Sequence, residues 1–389
     1  MAFGALPEPL QRCCTTFGAL ERWLLLGLGR HGSRLGVTTD TGAPGGPWRR
    51  DSCWLAAAGR GCAWPRVQNG SVRAQRVLYV VNPTAGLGAS AHLGRRLAGG
   101  AGAGSSPDLE VVLVAAESFT ELREKAADVL AGELRPDVLI VQGGDGMVSM
   151  GAGLVAGTGV PLGIVPSGTG NDFARAAGIR RGSPAAGIER MLTSLRTGAA
   201  SVREVDVIRL SVDGADHLAI NSVNIGFDAV VNCRANELRK LPGTARYVAA
   251  LLESVRRFSP VEFGLSVDDG PTRAVAAELV TILNGSSIGG GIRVAPQAII
   301  DDGLLELFVV GRLPRIGLLT LFPLAMAGLH TRLPPVSLER ITSIRVQVPS
   351  GVLVYADGEA LRGPGEGACI LEARVDPGAV RLIEPGALG

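Results

Sequence analysis

Lysine is almost missing from this 389-residue chain; Lys125 and Lys240 are the only two. No G-x-x-x-x-G-K-[ST] occurs, so a P-loop is excluded. No G-x-G-x-x-G opens a helix after the first apolar strand, which argues against an ordinary dinucleotide fold. No uninterrupted apolar run reaches the roughly 18–20 residues that cross a bilayer. The nearest, residues 316–329, contains Pro323 and is too short, so the chain reads as soluble. Its six cysteines show no C-x-x-C spacing, and Cys233 and Cys369 stand far apart. That gives neither a zinc site nor a disulfide framework and suits a reducing cytosol. A net charge of +2, with 19% charged residues, gives no electrostatic case for nucleic acid.

What the chain does have is apolar content, 46%, and many turn formers, with 55 glycines and 23 prolines. Two glycine loops stand about one helix apart, Gly143-Gly144-Asp145-Gly146 and Ser167-Gly168-Thr169-Gly170-Asn171-Asp172. Each follows an apolar run that reads as a buried parallel strand, residues 137–142 and 161–166, and each opens a helical segment. Two such units in tandem place both loops at the carboxyl edge of one sheet, where α/β proteins bind nucleotides. Glycine lets backbone N–H groups approach phosphate oxygens, and a helix N-terminus adds favourable partial charge. A lone GGDG is an ordinary turn as readily as a site; the pair at this spacing is the footprint of a nucleoside-triphosphate site.

The first 72 residues differ in kind. They hold all four tryptophans and four of the six cysteines, with no sustained period of 2 or 3.6. They read as an atypical, disordered extension. Structure is expected from Arg76, with strands at 76–81 and 109–114 and helices at 90–98, 120–131 and 185–196. Together with the two glycine-loop units this predicts a doubly covered parallel sheet over residues 73–204. Residues 205–385 read as mainly antiparallel strands, among them 205–212, 217–225, 261–267, 276–283, 304–310, 344–348, 352–355 and 369–375, joined by Asp/Gly turns. Helices interrupt them near 228–239, 243–257 and 314–329. The expected fold is an α/β domain followed by a β-sandwich.

Further motifs follow in order: Asn82-Pro83-Thr84-Ala85-Gly86 at the end of the first strand, Asn221 to Gly226, Gly289-Gly-Gly-Ile-Arg-Val-Ala-Pro296, Asp301-Asp302-Gly303-Leu304, and Asp357-Gly358-Glu359. Each alone passes for a turn or loop. Together, from about Arg76 to Pro385, they resemble the bacterial diacylglycerol kinase family, which is related to sphingosine and ceramide kinases and more remotely to NAD kinases and phosphofructokinases. The resemblance implies an ATP domain, a β-sandwich domain and an active site in the cleft between them.

The resemblance also implies residue roles. ATP would contact Asn82, Pro83, Thr84, Ala85 and Gly86, the loop Gly144, Asp145, Gly146, Met147, Val148, Ser149 and Met150, and Thr169. Ile299 and Leu304 through carbonyls, with the Asp302 carboxylate, would hold a structural Mg²⁺, an ion that suits hard oxygen donors. Glu359 would be the general base for the lipid hydroxyl, and Asp145 would act at the phosphates. The expected reaction converts diacylglycerol to phosphatidic acid with ATP at the inner face of the membrane, without a transmembrane segment or nucleic acid partner; a homodimer stays open. Another lipid acceptor, an NAD kinase, or a pseudokinase that only binds are the alternatives. The family's Gly-Asp-Gly-Thr-x-Asn-Glu reads here with Met147, Ser149 and Met150 at the three polar positions, and Ala115 replaces a threonine after the second strand. Arginines at 234, 256 and 257 read as a solvated face, with anionic headgroups as the second reading.

Overall fold

In a computed structural model, the described residues are 74–81, 109–238, 243–255 and 259–385, with the side chains of 243–247, 315, 319 and 322 left aside. The expected extension at 1–72, the helix at 90–98 and the motif Asn82 to Gly86 lie outside them. Residues 74–385 belong to one compact unit, Trp64–Gly389.

The first half alternates strand and helix. Its elements are β1 (Arg76–Val81), β2 (Glu110–Val114), α1 (Phe119–Ala131), β3 (Val138–Gly143), α2 (Asp145–Val155), β4 (Leu162–Pro166), α3 (Asp172–Ala176) and α4 (Pro184–Thr197). The strands run parallel in the order β4-β3-β1-β2. Such strands carry apolar side chains on both faces because helices cover both. On one face Leu78, Val80, Leu139 and Val141 pack with Leu122 of α1 and Val148 of α2. On the other, Val77, Tyr79 and Ile140 meet Ile188, Met191 and Leu195 of α4.

From β5 (Ser201–Val212) onward the pairing turns antiparallel. The elements are β6 (Ala215–Ala219), β7 (Ser222–Gly226), α5 (Phe227–Glu237), α6 (Gly243–Ser254), β8 (Val261–Val267), β9 (Arg273–Leu283), β10 (Leu305–Gly311), α7 (Arg315–Met326), β11 (Val336–Ile341), β12 (Ser343–Val348), β13 (Val354–Ala356), β14 (Glu359–Arg362) and β15 (Cys369–Glu384). Their inner faces enclose a core that includes Ile225, Phe263, Val280, Leu307, Val346 and Leu371. Leu279 and Leu283 of β9 point the other way, under α5, α6 and α7.

Two readings need correction. The strand expected over 217–225 is two strands, because the N–H groups of Ile220, Asn221 and Ser222 all turn to the Asp357 carboxylate at 2.7–2.9 Å. The strand expected to end at Val375 runs on to Glu384 through an irregularity at Asp376–Val380. It pairs along its length with β5 and then, through Leu382 and Leu162, in parallel with β4. β15 therefore serves both halves and locks them into one sheet.

Candidate active site

The two glycine loops are packed backbone on backbone. A Cβ on Gly168 would overlap Gly144 Cα, and one on Gly170 would overlap the Asp145 carboxylate. Only glycine fits these approaches. Ser167 and Gly168 both donate their N–H to Gly143 O, at 2.8 and 3.2 Å. Asn171 adopts the left-handed conformation, φ 55°, which asparagine tolerates. Its amide clasps Gly168 by accepting the N–H at 3.1 Å and donating to the carbonyl at 2.7 Å. Asp145, at the start of α2, then accepts the N–H groups of Asn171 and Asp172, at 2.8 and 2.6 Å. The carboxylate of one loop is the keystone of the other.

Asp172 carries the connection into the second half. Its Oδ2 accepts the Gly290 N–H at 2.7 Å, and its Oδ1 accepts from the Ser287 hydroxyl at 3.1 Å and from Arg175 at 2.7 Å. Gly289, Gly290 and Gly291 all have positive φ, which lets that loop fold over the carboxylate. Asp357 completes the group. It sits with Gly358 at the left-handed tip of the β13–β14 hairpin, a turn type that favours Asp-Gly. Ser149 of α2 donates its side-chain hydrogen bond to Asp357, a bond between the halves.

Three carboxylates from three segments thus converge. Burial, then the charges of Asp172 and Asp357, push the Asp145 carboxyl up to about 6 against its two N–H donors. Burial also raises Asp357, against the N–H groups it accepts. Glu359 opens β14 at the solvent edge of the group. Desolvation raises its pKa, Arg123 of α1 opposes the rise, and the Asp357 charge adds to it.

Gly144, Asp145, Gly146, Ser149, Thr169 and Glu359 are placed in or around this mouth. The side chains of Met147, Val148 and Met150 are not. All three are buried in the core between α2 and the sheet. Met147 and Val148 also donate their N–H groups to Gly144 O. At two of the three altered positions, Met147 and Met150, the side chain is therefore part of the core. At the proposed metal turn, Ile299 is exposed, Asp302 accepts the Leu304 N–H at 3.1 Å, and its other oxygen pairs with Arg340. Arg340 is therefore a competing charge for any cation there. Among the described residues no group of three or more His, Cys, Asp or Glu is arranged to hold a metal ion. Arg234, read as a solvated face, is tied to Glu253 at 2.8 Å and to Glu237. Asp172 and Asp357 were visible in their motifs, but only the fold reveals that they meet Asp145.

From this acidic mouth a cavity runs into the second half, enclosing about 1110 Å³ of empty space, part of it open to solvent. Its lining joins Asp145, Asp172, Asp357 and Gly358 to apolar side chains such as Phe227, Val231, Leu279, Phe308, Leu318 and Leu321. No described helix is long and apolar enough to cross a membrane.

The diacylglycerol kinase catalytic domain model matches residues 76–209, and the YegS C-terminal NAD kinase beta sandwich-like domain model matches residues 221–384. The chain is 35% identical over 252 residues to the Diacylglycerol kinase of Mycobacterium tuberculosis (strain CDC 1551 / Oshkosh), covering 64% of this chain and 77% of that one. It is 30% identical over 261 residues to the protein named Probable lipid kinase YegS-like of Stenotrophomonas maltophilia (strain K279a), covering 64% and 79%. The solved structure of a diacylglycerol kinase from Bacillus anthracis str. Sterne superposes with a TM-score of 0.56 at 21% identity, covering 80% of this chain and 97% of that one.

Proposed function

Since the chain belongs to the lipid kinase family marked by the diacylglycerol kinase catalytic domain, we propose that it transfers the γ-phosphoryl group of ATP to the free hydroxyl of diacylglycerol. The observation that carries this reading is the cavity. Its lining joins apolar side chains to three carboxylates, and the carboxylates stand where both glycine loops meet. Acyl chains would lie among the apolar side chains, which would leave the hydroxyl at the carboxylates. Ile316, Met326 and Leu329, on and just after α7, and Leu252 of α6 are exposed on helices that line the cavity, a surface suited to contact with a lipid layer.

Phosphoryl transfer asks mainly for positioning and charge neutralisation. The amides of the glycine loops would hold the triphosphate. Glu359 would take the proton of the acceptor hydroxyl as its oxygen bonds to the γ-phosphorus. The bond from that phosphorus to the bridging oxygen then breaks, and ADP leaves. Ile299, Asp302 and Leu304 offer hard oxygens of the kind Mg²⁺ takes, with Arg340 as the competing charge. A bound Mg²⁺ would pin this turn to β10. Mg²⁺ is expected to raise the melting temperature of the parent but not of Asp302→Ala; equal shifts would leave the turn without a metal role.

The direct test is labelled ATP with purified protein and a panel of diacylglycerol, ceramide, sphingosine, undecaprenol and NAD. Preferred labelling of diacylglycerol is expected. Preference for a sphingoid base or for NAD would replace the acceptor, and binding without turnover would make the chain a pseudokinase.

A further inference from the structure

One carboxyl of the cavity has no part in the chemistry above. Asp228, in the first turn of α5, lines the same cavity as the three carboxylates and the apolar side chains, beside Asn224. Among the described lining residues there is no Lys, Arg or His to pair with it. An unpaired charge in such surroundings is costly, so burial raises the pKa of a carboxyl there.

The surrounding hydrogen bonds say which oxygen carries the proton. Ser222 Oγ donates to Asn224 Oδ1 at 3.1 Å, which fixes the amide so that its Nδ2 points away. That Nδ2 donates to Asp228 Oδ2, and the Thr281 hydroxyl approaches the same oxygen at 3.4 Å. Oδ2 is therefore the accepting oxygen. Neither Asn224 nor Thr281 bonds to Oδ1, which makes it the oxygen suited to hold a proton. Ser222 also gives its N–H to Asp357, so β7 links the mouth to the level of Asp228. Two residues of strand separate Ser222 from Asn224, about 7 Å. That is comparable to the span from the free hydroxyl of a glycerol to its neighbouring esters.

We propose that Asp228 is a specificity-determining residue, donating a hydrogen bond from Oδ1–H to an ester carbonyl of the seated acceptor. This rests on the acceptor reading given above. Burial, offset by Asn224 and Thr281, already pushes the Asp228 carboxyl up to about 6. An acyl chain that expels the remaining water raises it further. The neutral carboxyl thus forms in response to the ligand it recognises.

The test compares 1,2-diacylglycerol with 1,2-dialkylglycerol of equal chain length, which lacks the ester carbonyls, using the full chain, ATP and mixed micelles. The readout is the ratio of kcat/KM for diester over diether. The parent should favour the diester by about tenfold, the scale of one buried neutral hydrogen bond. Asp228→Leu should bring the ratio near one, and Asp228→Asn, whose amide still donates, should keep most of the preference. Asp228→Ala decides the ratio if Asp228→Leu does not fold. A parent that uses both lipids equally well overturns the Asp228 assignment and leaves the acceptor reading standing. So does an Asp228→Leu or Asp228→Ala variant that keeps the parental ratio. A parent that turns over neither lipid overturns the acceptor reading, and this proposal with it.

Discussion

Gly168 and Asp145 show how little freedom the mouth allows. Gly168 lies against Gly144, and Asp145 spends both oxygens on N–H groups of the second loop. Gly168→Ala should therefore force the loops apart, costing roughly 1–3 kcal/mol as overpacking does. A lower melting temperature together with weakened nucleotide affinity is expected; parental values for both would mean that the loops are not in contact. Much of this was legible in the sequence. The glycines and Asn171-Asp172 announced two tight loops at the sheet edge, and Glu359 stood in an Asp-Gly turn. What could not be read was direction. Met147 and Met150 lie within the loop motif, yet their side chains turn into the core, because the first two turns of α2 face the sheet as well as the acidic group.

At the level of elements, the short parallel strands and their helices were legible because continuous apolar runs alternate with amphipathic ones. The break between β6 and β7 was not, since its cause lies at Asp357, over a hundred residues away. The full length of β15 was hidden too. Asp376 to Val380 interrupts its pattern, yet the strand resumes and joins β4. Leu382 is fully buried in the core of the first half while Leu371, on the same strand, is buried in the second. Leu382→Ala should cost about 2–5 kcal/mol, as buried leucines do. Calorimetry should show one transition moving down as a whole. Two separated transitions would mean that the halves fold independently and that β15 does not couple them.

On the scale of the whole molecule, the proposed reaction needs phosphate chemistry on the first half, a chain-binding cavity in the second, and the three carboxylates where the halves touch. Ser149 to Asp357 and Asp172 to Gly290 hold that junction closed. Its central claim is that Glu359, at the rim, removes the proton of the acceptor hydroxyl. A base must be ionised to act, so turnover should fall as pH drops through the Glu359 pKa, which desolvation places above the ordinary glutamate value. The most direct measurement compares the parent with Glu359→Gln for phosphatidic acid formation from ATP and diacylglycerol, with ATP affinity and melting temperature followed in parallel. The variant should fold and bind ATP like the parent while turnover falls by about 10²–10⁴-fold, the usual range for general-base catalysis. Near-parental turnover by Glu359→Gln would contradict the account and leave Asp145 as the leading base.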